Sequence, residues 1–234
     1  MLHELLHPMQ DLLSLMYPNL CAACSEQAPP RQEVICLRCQ YKLPRTNFHQ
    51  EKDNPFTERF WGRVPLESGA ALYHFVKGGR VQDLIHRLKY EGRRDIGTQL
   101  GKLYGAQLRE SPWFKGVELI VPVPLHPAKE HRRGYNQSAL IAAGLSETMG
   151  VPWLRQGLIR AAFTETQTRK SRTERIANVA RVFQIGNAAK LLGKHILLVD
   201  DVMTTGATLD ACAEAILELP GTRLSMATLA IADA

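Results

Sequence analysis

An apolar run that ends in two aspartates constrains this chain more than any other feature. The segment is HILLVDDVMTTGATL, residues 195–209. A short apolar run before a turn and a helical pattern is typical of a buried parallel strand, predicted here at 196–199 and ending at Asp200 and Asp201. At the carboxyl end of such a strand, a turn that leads into a helix exposes backbone N–H groups and the positive end of the helix dipole. The segment therefore predicts an anion site at the edge of a parallel sheet.

The side chains of this turn suit a phosphate and a sugar diol. Gly206 lets the backbone approach an anion, and Thr204, Thr205 and Thr208 add hydroxyl donors. The two carboxylates follow the strand at a place where they can accept hydrogen bonds from a diol. Paired acids and threonines also cap ordinary helices. Because several requirements of a ligand-binding turn are met together, we interpret the segment as a ribose 5-phosphate site.

Short apolar runs alternate with helical patterns over the rest of the chain. Strands are predicted at 71–76, 117–123, 195–199 and 224–231, and helices at 81–90, 96–109, 137–149 and 208–219. Alternation of this kind is typical of an α/β domain, in which helices flank a parallel sheet.

Four of the five cysteines form two C-x-x-C pairs near the N-terminus. Cys21 and Cys24 are separated by eleven residues from Cys36 and Cys39. Two such pairs complete a tetrahedral thiolate site that stabilises a small module with little core of its own, and zinc is its natural occupant. A redox C-x-x-C is more often single, and a disulfide framework conflicts with a reducing compartment. We expect Cys212, which lies in a helical apolar stripe, to be a packing residue.

The length of 234 residues favours a small module beside one larger domain. We place an amphipathic helix (1–17), the cysteine module and a polar connector in residues 1–54, and the α/β domain in 55–234. No apolar run approaches the ~20 residues of a membrane span, and the first residues do not read as a signal peptide, so we expect a cytoplasmic protein. Of the net charge of +6, residues 155–184 supply +5, from seven Lys/Arg and two Glu. Such a segment suits a polyanionic partner, or is a solvated helix face.

Several motifs also resemble those of known families. LLVDDVMTTGATL resembles the phosphoribosyl pyrophosphate motif of type I phosphoribosyltransferases. CAAC…CLRC, VPVPLHPAKEHRRGYNQS and QTRKSRTERIANV, in this order, resemble the ComF family of competence proteins, which includes GntX-like members. The resemblance covers the chain from Cys21 to about Ile231.

The resemblance implies a type I phosphoribosyltransferase fold, an α/β fold with a parallel sheet of about five strands and a small hood, preceded here by the small four-cysteine zinc-binding module. Asp200 and Asp201 would hold the ribose hydroxyls of phosphoribosyl pyrophosphate. The 5-phosphate would lie on the turn, and Pro124, Leu125 and His126 would meet the pyrophosphate. The implied binding segment consists of Asp200, Asp201, Val202, Met203, Thr204, Thr205, Gly206, Ala207 and Thr208. Magnesium would bridge the pyrophosphate and ribose oxygens.

Two basic segments belong to the same resemblance. Arg132 and Arg133 precede GYNQS, where Tyr135 and Asn136 either contact the ligand or only pack and cap a helix. Gln167, Arg169, Arg172, Arg175 and Asn178 match a signature of the family. We take Arg172, with Asp200 and Asp201, as the candidate catalytic residues. Arg132, Arg133, Arg169, Arg172 and Arg175 are the predicted contacts for anions or nucleic acid. Lys89 and Tyr90 match a recurrent stretch of the family without a defined role.

Three functions remain open from the sequence. The chain is an active phosphoribosyltransferase, a non-catalytic sensor of phosphoribosyl pyrophosphate or another nucleotide, or a factor that handles incoming single-stranded DNA with a helicase-like partner. The resemblance favours a role in DNA uptake, natural transformation or nutritional use of DNA. In 6-oxopurine enzymes a carboxylate commonly occupies the position of Thr204, and its absence here weakens that substrate class. With 7% aromatic residues, the sequence shows no obvious base-stacking platform.

Overall fold

A parallel sheet forms the centre of the protein. The computed structural model describes residues 20–26, 28–30, 33–160 and 182–232. In chain order the strands are β1 (Ser68–Phe75), β2 (Leu119–Pro122), β3 (Leu158–Arg160), β4 (Phe183–Ile185), β5 (His195–Met203) and β6 (Arg223–Ala232). Within the described residues, four of them form a sheet of order β1-β6-β5-β2, in which every pair is parallel. β3 and β4 form a separate antiparallel ribbon.

Eight α-helices and one short 3₁₀ helix (Phe48–Gln50) accompany these strands in the described part of the chain. The α-helices are α1 (Leu37–Lys42), α2 (Pro55–Glu58), α3 (Arg80–Tyr90), α4 (Arg94–Glu110), α5 (Pro127–Arg133), α6 (Gln137–Met149), α7 (Ala188–Leu191) and α8 (Ala207–Leu217). Buried side chains of α3, α4 and α6 pack in one core, whereas those of α8 pack in a second core. Both cores include strand residues, as expected for a parallel sheet that is buried on both faces. None of the helices described is both long and apolar enough to span a bilayer.

The predicted α/β class is confirmed, and the four strands and four helices predicted between residues 71 and 231 all occur, with shifts of a few residues at their ends. The parallel sheet has four strands within the described residues, rather than about five. At the place of a fifth strand, beside β2, Trp153 forms an isolated parallel bridge with Ile120. A proline precedes and a turn follows this residue, so pairing stops after one bridge.

β5 is longer than predicted, and this changes the position of the acids. The strand continues through Asp200 and Asp201 to Met203, and β6 pairs with it as far as that residue. The prediction of a strand end at Val199 was wrong because polar residues at a carboxyl edge still pair through their backbone. The turn itself is confined to residues 204–206.

Glycines allow α4 and α6 to cross at short distance. Gly97, Gly101 and Gly105 lie four residues apart on α4 and face α6. A Cβ atom on Gly101 would lie 2.4 Å from the carbonyl oxygen of Ile141, and one on Gly144 would lie 2.2 Å from that of Thr98. The helices therefore contact each other through backbone atoms, and this contact fixes the position of α6.

We expect Gly101→Ala to lower the free energy of unfolding by about 2 kcal/mol, because overpacking of a tight contact outweighs the gain of helix propensity. Urea denaturation would measure it. Gly97→Ala is the graded comparison, because its Cβ would meet Cβ of Leu140 at 2.9 Å, a less severe approach than the 2.4 Å to a backbone carbonyl at Gly101. A Gly101→Ala variant as stable as the wild type would contradict the proposed backbone contact.

The residues between the cysteines and β1 line the edge of the sheet. The backbone N–H of His74 donates to the carbonyl of Pro44 at 2.8 Å, and that of Thr46 donates to the carbonyl of Leu72 at 3.2 Å. The side-chain amide of Asn54 donates to the carbonyl of Gly69 at 3.0 Å. The connector thus covers the outer edge of β1. The helix predicted at 1–17 lies outside the described residues.

Candidate functional site

A cavity of about 640 Å³ opens at the carboxyl ends of the parallel strands. This is the edge where ligands bind in open α/β sheets. The acids of β5, the turn that follows it, the loop after β2 and one face of α3 meet there. Its lining residues include Asp200, Asp201, Val202, Thr204, Thr208, Val123, Pro124, Leu125, Lys129, Gln137, Ser138, Arg160, Phe75, Lys77, Gln82, Ile85, His86, Lys89 and Tyr90.

Asp200 is held at the N-terminus of α6. Its Oδ1 atom accepts hydrogen bonds from the Ser138 hydroxyl and from the backbone N–H of Asp201, both at 2.8 Å. Burial, and then the neighbouring charge of Asp201, raise the pKa of Asp200 to about 7, whereas the Ser138 hydrogen bond and Lys89 lower it. A carboxyl group that titrates near neutral pH can accept or release a proton under physiological conditions.

Asp201 forms an ion pair with α3. Its Oδ2 atom lies 2.9 Å from Nζ of Lys89, and the two side chains are 6% and 22% exposed. A charge pair with so little exposure is screened weakly by solvent, and removing one partner would leave a buried charge without its counter-ion. α3 therefore contributes a cation to the acid pair of β5.

We expect Lys89→Met to move the titration of Asp200 to higher pH. The folded-state pKa already lies above the ordinary value of 3.8. Between about pH 4 and 7 the folded state therefore binds more protons at Asp200 than the unfolded state does. The contribution of Asp200 to the free energy of unfolding declines as the pH rises through this range. Removing the Lys89 charge takes away one group that stabilises the Asp200 carboxylate, so the pKa of Asp200 rises. The decline in the free energy of unfolding then extends above pH 7.

The measurement is the pH dependence of the aspartate side-chain ¹³C shifts by NMR. The wild-type midpoint should lie near pH 7, that of Lys89→Met above it, and that of Lys89→Arg close to the wild type because Arg keeps the charge. An identical midpoint in Lys89→Met and the wild type would refute a role of Lys89 in the charge of this pair.

The turn after β5 is kept open towards the cavity. Gly206 has φ +84° and is the N-cap of α8, which makes no side-chain capping bond there. A left-handed conformation at this position favours glycine. Arg59 holds the turn from behind, because its guanidinium donates to the carbonyl of Thr204 and, at 2.6 Å, to that of Ala232. The backbone N–H of Ala207, the first of α8, donates to the Thr205 hydroxyl at 3.4 Å, and an anion at this helix N-terminus would replace that long bond.

The predicted phosphoribosyl residues are largely brought together. Asp200, Asp201, Val202, Thr204, Thr208, Pro124 and Leu125 all line the cavity, and Thr205, Gly206 and Ala207 lie between two of these residues. Met203 is 1% exposed and packs in the core. His126 lies outside the lining set and caps α5, since its Nδ1 atom accepts from the backbone N–H of Ala128 at 3.2 Å.

Arg132 and Arg133 lie beside this cavity rather than in it. They line a separate depression of about 250 Å³ together with Lys89, Tyr90, Gly92 and Tyr135. The Arg133 guanidinium lies 5.4 Å from the centre of the Tyr90 ring. Lys89 and Tyr90 belong to both the cavity and the depression. Arg169, Arg172, Arg175, Gln167 and Asn178 lie outside the described residues.

The structure gives Tyr135 and Asn136 packing and capping contacts. The Tyr135 hydroxyl donates to the carbonyl of Leu88. The Asn136 amide donates to the carbonyl of Val123 at 3.0 Å and accepts from the backbone N–H of Ser138 at 2.9 Å. Both residues are 6% exposed. Asn136 therefore joins the start of α6 to the end of β2, which positions Ser138 beside Asp200.

Several residues of the cavity were not predicted from the sequence. Lys77 follows β1 and Lys129 lies on α5, so these two exposed lysines flank β5 on opposite sides. Arg160 ends β3 and reaches the same cavity. With Lys89 they bring four cations to the cavity that holds the acid pair, a charge that suits a polyphosphate. The stretch VPVPLHPAKEHRRGYNQS already contained Lys129 and Ser138, although nothing in it distinguished them from surface residues.

The four cysteines form a compact cluster. Their sulfur atoms all lie within 4.8 Å of one another, and Sγ of Cys24 is 3.9 Å from Sγ of Cys36. The sulfurs of a tetrahedral zinc site are separated by about 3.8 Å. The backbone N–H groups of Ala23 and Cys36 donate to Sγ of Cys21 at 3.4 and 3.3 Å. The cluster can therefore hold a metal ion.

The electrostatics of the cluster also favour a cation bound by the four sulfur atoms. Burial raises the pKa of the Cys39 thiol, and hydrogen bonds with Cys24 and Cys36 raise it further. Four thiolates would therefore not coexist here without a cation among them. Arg80, at the start of α3, lies with its Nη1 atom 3.7 Å from Sγ of Cys39. The cluster thus rests on the same helix that supplies Lys89.

Comparison with known proteins agrees with this geometry. The family model of the phosphoribosyl transferase domain matches residues 135–233. DNA utilization protein YhgH of Escherichia coli (strain K12) is 29% identical over 214 residues, which cover 88% of this chain and 87% of that protein. Competence protein F of Haemophilus influenzae is 31% identical over 206 residues, covering 86% and 85% of the two chains.

Competence protein ComFC of Bacillus subtilis (strain 168) is 36% identical over 200 residues, which cover 86% of this chain and 72% of that protein. These matches extend over most of the chain. The predicted phosphoribosyltransferase fold with a preceding four-cysteine module is confirmed. The chain belongs to the ComF family of competence proteins, and its carboxyl-terminal part is a phosphoribosyltransferase-like domain.

Proposed function

We propose that the protein binds phosphoribosyl pyrophosphate, or a related nucleotide phosphate, together with magnesium, and that this binding serves the uptake or use of DNA. The observation that carries the proposal is the cavity in which an acid pair, a helix N-terminus without a side-chain cap and several cations meet. The names of the relatives, a DNA utilization protein and two competence proteins, support the biological process.

The roles of the residues follow from their chemistry. Asp200 and Asp201 accept hydrogen bonds from the ribose hydroxyls, and the turn from Thr204 to Thr208 binds the 5-phosphate. The loop of Pro124 and Leu125, with Lys129, faces the pyrophosphate. Magnesium would be held by phosphate oxygens, with the two carboxylates as nearby oxygen ligands, a set that this hard cation prefers. It would neutralise charge on the pyrophosphate.

The same arrangement can support either catalysis or sensing. In a transferase, Lys129 and Arg160 would stabilise the negative charge that develops on the departing pyrophosphate. Asp200, with its pKa of about 7, would hold or release a proton next to the sugar. In a sensor, the same residues bind the ligand without turnover. Pyrophosphate release that requires an added acceptor would identify the transferase.

We also propose that zinc occupies the four-cysteine cluster of Cys21, Cys24, Cys36 and Cys39. Sulfur spacing and burial support this assignment, and closed four-thiolate sites are typical of structural zinc. The ion would stabilise the module and, through Arg80, the start of α3.

Calorimetric titration of the zinc-loaded protein with phosphoribosyl pyrophosphate tests the main proposal. We expect saturable binding to one site in the micromolar range, weakened when magnesium is left out. Ribose 5-phosphate, which lacks the pyrophosphate, should bind more weakly. Absence of binding to a folded, zinc-loaded protein would overturn the proposal. The turn would then be a feature of the fold that binds no ligand.

A second candidate function is direct contact with single-stranded DNA. The depression lined by Arg132, Arg133 and Tyr90 favours it, because an exposed ring beside arginines provides base stacking and backbone contacts. Binding would serve DNA handling, in which a helicase-like protein is the proposed partner. Fluorescence anisotropy with a labelled oligonucleotide should show salt-sensitive binding that Arg132→Ala/Arg133→Ala weakens and Asp200→Asn leaves intact. Equal binding by all three proteins would remove this candidate.

A further inference from the structure

The turn after β5 is contacted from outside the cavity by α2 and the residues that follow it. Four side chains make these contacts, and we call them the α2 platform: Phe56, Arg59, Phe60 and Arg63. The rings of Phe56 and Phe60 are fully buried and lie 5.6 Å apart. None of the four side chains belongs to the lining of the cavity. The α2 platform can therefore act on a bound ligand only through the turn.

Close apolar contacts hold the α2 platform against both β1 and the turn. A Cβ atom on Gly69 of β1 would lie 2.6 Å from a ring carbon of Phe56, so the ring packs directly on the strand. A Cβ atom on Gly206 would lie 3.4 Å from two ring carbons of Phe60. Asn54 caps the start of α2 and also donates to the carbonyl of Gly69. The backbone that carries the two arginines is thus fixed relative to the turn.

The two arginines of the platform hold the turn at both of its ends. The half-buried Arg59 guanidinium bridges the carbonyl oxygens of Thr204, the first residue of the turn, and Ala232, at the end of β6. Arg63 donates to the carboxylate of Asp210, in the first turn of α8, and to the carbonyl of Arg59. The turn is therefore tied to cations both where it leaves β5 and where it enters α8.

The hydrogen bond from Arg59 fixes the direction of one peptide group. The described residues contain no cis peptide bond, so the C=O of Thr204 and the N–H of Thr205 point in opposite directions in one plane. Arg59 holds the carbonyl outside the cavity. The N–H of Thr205 is therefore directed away from Arg59, and the carbonyl, whose negative end would repel a phosphate, stays turned away from the anion.

A cation on this carbonyl also changes the strength of the N–H on the same peptide group. Hydrogen bonds from an ionised donor are roughly twice as strong as those between neutral groups. Hydrogen bonds that follow one another polarise each other, and they do so more in a site of low dielectric constant. The guanidinium of Arg59 draws electron density towards the Thr204 oxygen, so the Thr205 N–H becomes a better donor to an anion.

We infer that Arg59 is a positioning residue for phosphate binding, and that its charge reaches the 5-phosphate through the peptide group between Thr204 and Thr205. Arg59 itself touches no ligand. Arg63 supports it by holding the carbonyl of Arg59 and the start of α8. The inference rests on the proposed function, because the anion on the turn is the 5-phosphate of the proposed ligand.

The test is calorimetric titration of the full zinc-loaded chain with ribose 5-phosphate in three variants of Arg59. Arg59→Lys keeps the charge, Arg59→Gln keeps neutral N–H donors, and Arg59→Met keeps only an unbranched chain. We expect Arg59→Lys to bind within about threefold of the wild type, and the other two to bind about tenfold more weakly. A tie that only holds the backbone would instead leave Arg59→Gln close to the wild type. If Arg59→Met fails to fold, the comparison of Arg59→Lys with Arg59→Gln decides the question.

NMR gives a second measurement that a merely structural tie would not change. In ¹H–¹⁵N spectra at saturating ribose 5-phosphate, the amide proton of Thr205 should move downfield in the wild type, as expected for a strong hydrogen bond to phosphate. Arg59→Gln should show a smaller shift at saturation, because the polarising charge is gone. A shift of equal size in both proteins would contradict the transfer of charge through this peptide group.

Arg109→Met is the matched control. The Arg109 guanidinium also donates to a backbone carbonyl, that of Thr148 at 3.2 Å, but Arg109 does not line the cavity or contact the turn. This variant should bind ribose 5-phosphate like the wild type. Wild-type affinity in Arg59→Gln, or a loss in Arg59→Lys as large as in Arg59→Gln, overturns the inference alone. No binding of ribose 5-phosphate or phosphoribosyl pyrophosphate to the wild type overturns the proposed function as well.

Discussion

Cys39→Ala should release the bound metal ion and lower the free energy of unfolding by about 4 kcal/mol, an effect of the size that follows loss of a structural metal. Cys39 is fully buried and lies within 4.8 Å of the other three sulfurs. With three ligands left, the proposed zinc site is no longer closed by four thiolates and would hold the ion weakly. For a chain of this length the melting temperature should fall by roughly 10 °C.

Cys212→Ala provides the control for Cys39→Ala. Cys212 is also fully buried, but it lies on α8 outside the cluster. Elemental analysis of this variant should still find one zinc ion per chain. The small cavity left by the substitution should lower the free energy of unfolding by only about 1 kcal/mol. Removal of zinc from the wild type with a chelator should reproduce the low melting temperature of Cys39→Ala. A Cys39→Ala protein that keeps its zinc and its melting temperature would contradict the proposed site.

The double variant Asp200→Asn/Asp201→Asn should lower the affinity for phosphoribosyl pyrophosphate at least about a hundredfold. A hydrogen bond to a charged group contributes about 1.5–3 kcal/mol, and the proposed diol contacts involve two such groups. Asparagine keeps the volume of each side chain, so the loss would reflect charge and acceptor strength. The measurement is the calorimetric titration with magnesium.

Asp95→Asn is the matched control for the double variant. Asp95 pairs with Arg93 on the surface, 46% exposed, and lies outside the cavity. It should bind the ligand like the wild type. A melting curve of the double variant must show a folded protein, since the neutral amide at position 201 leaves Lys89 without its partner charge. An affinity that stays within about threefold of the wild type would mean that the acids do not contact the sugar.

Much of this architecture could be predicted from the sequence because its signals are local. The apolar run before Asp200 and the helical periodicity of 137–149 each depend on neighbouring residues, and the corresponding elements β5 and α6 were found. The two C-x-x-C pairs predicted one cluster because four thiols in a short segment have few other uses. The ends of the elements were predicted less exactly, because backbone hydrogen bonds extend β5 beyond its apolar residues.

The contacts that complete the site could not be predicted because they join distant parts of the chain. Lys89 of α3 meets Asp201 near the other end of the sequence, and Arg59 meets Thr204 across 145 positions. In the sequence both cations look like solvated surface residues. Their partners become visible only once the order β1-β6-β5-β2 places α3 and α2 next to the end of β5. Side-chain pairing of this kind depends on topology rather than on local pattern.

α3 carries contacts to both functional regions. Arg80 lies against Cys39, the Arg87 guanidinium donates to the hydroxyl of Ser25 at 2.6 Å, and Lys89 at the far end of the helix pairs with Asp201. Buried apolar residues of the cysteine region pack in the same core as this helix. The two regions should therefore unfold in one cooperative transition rather than two. Because a ligand that binds only the folded state stabilises all of it, metal and sugar phosphate would each protect the other's binding region from thermal unfolding.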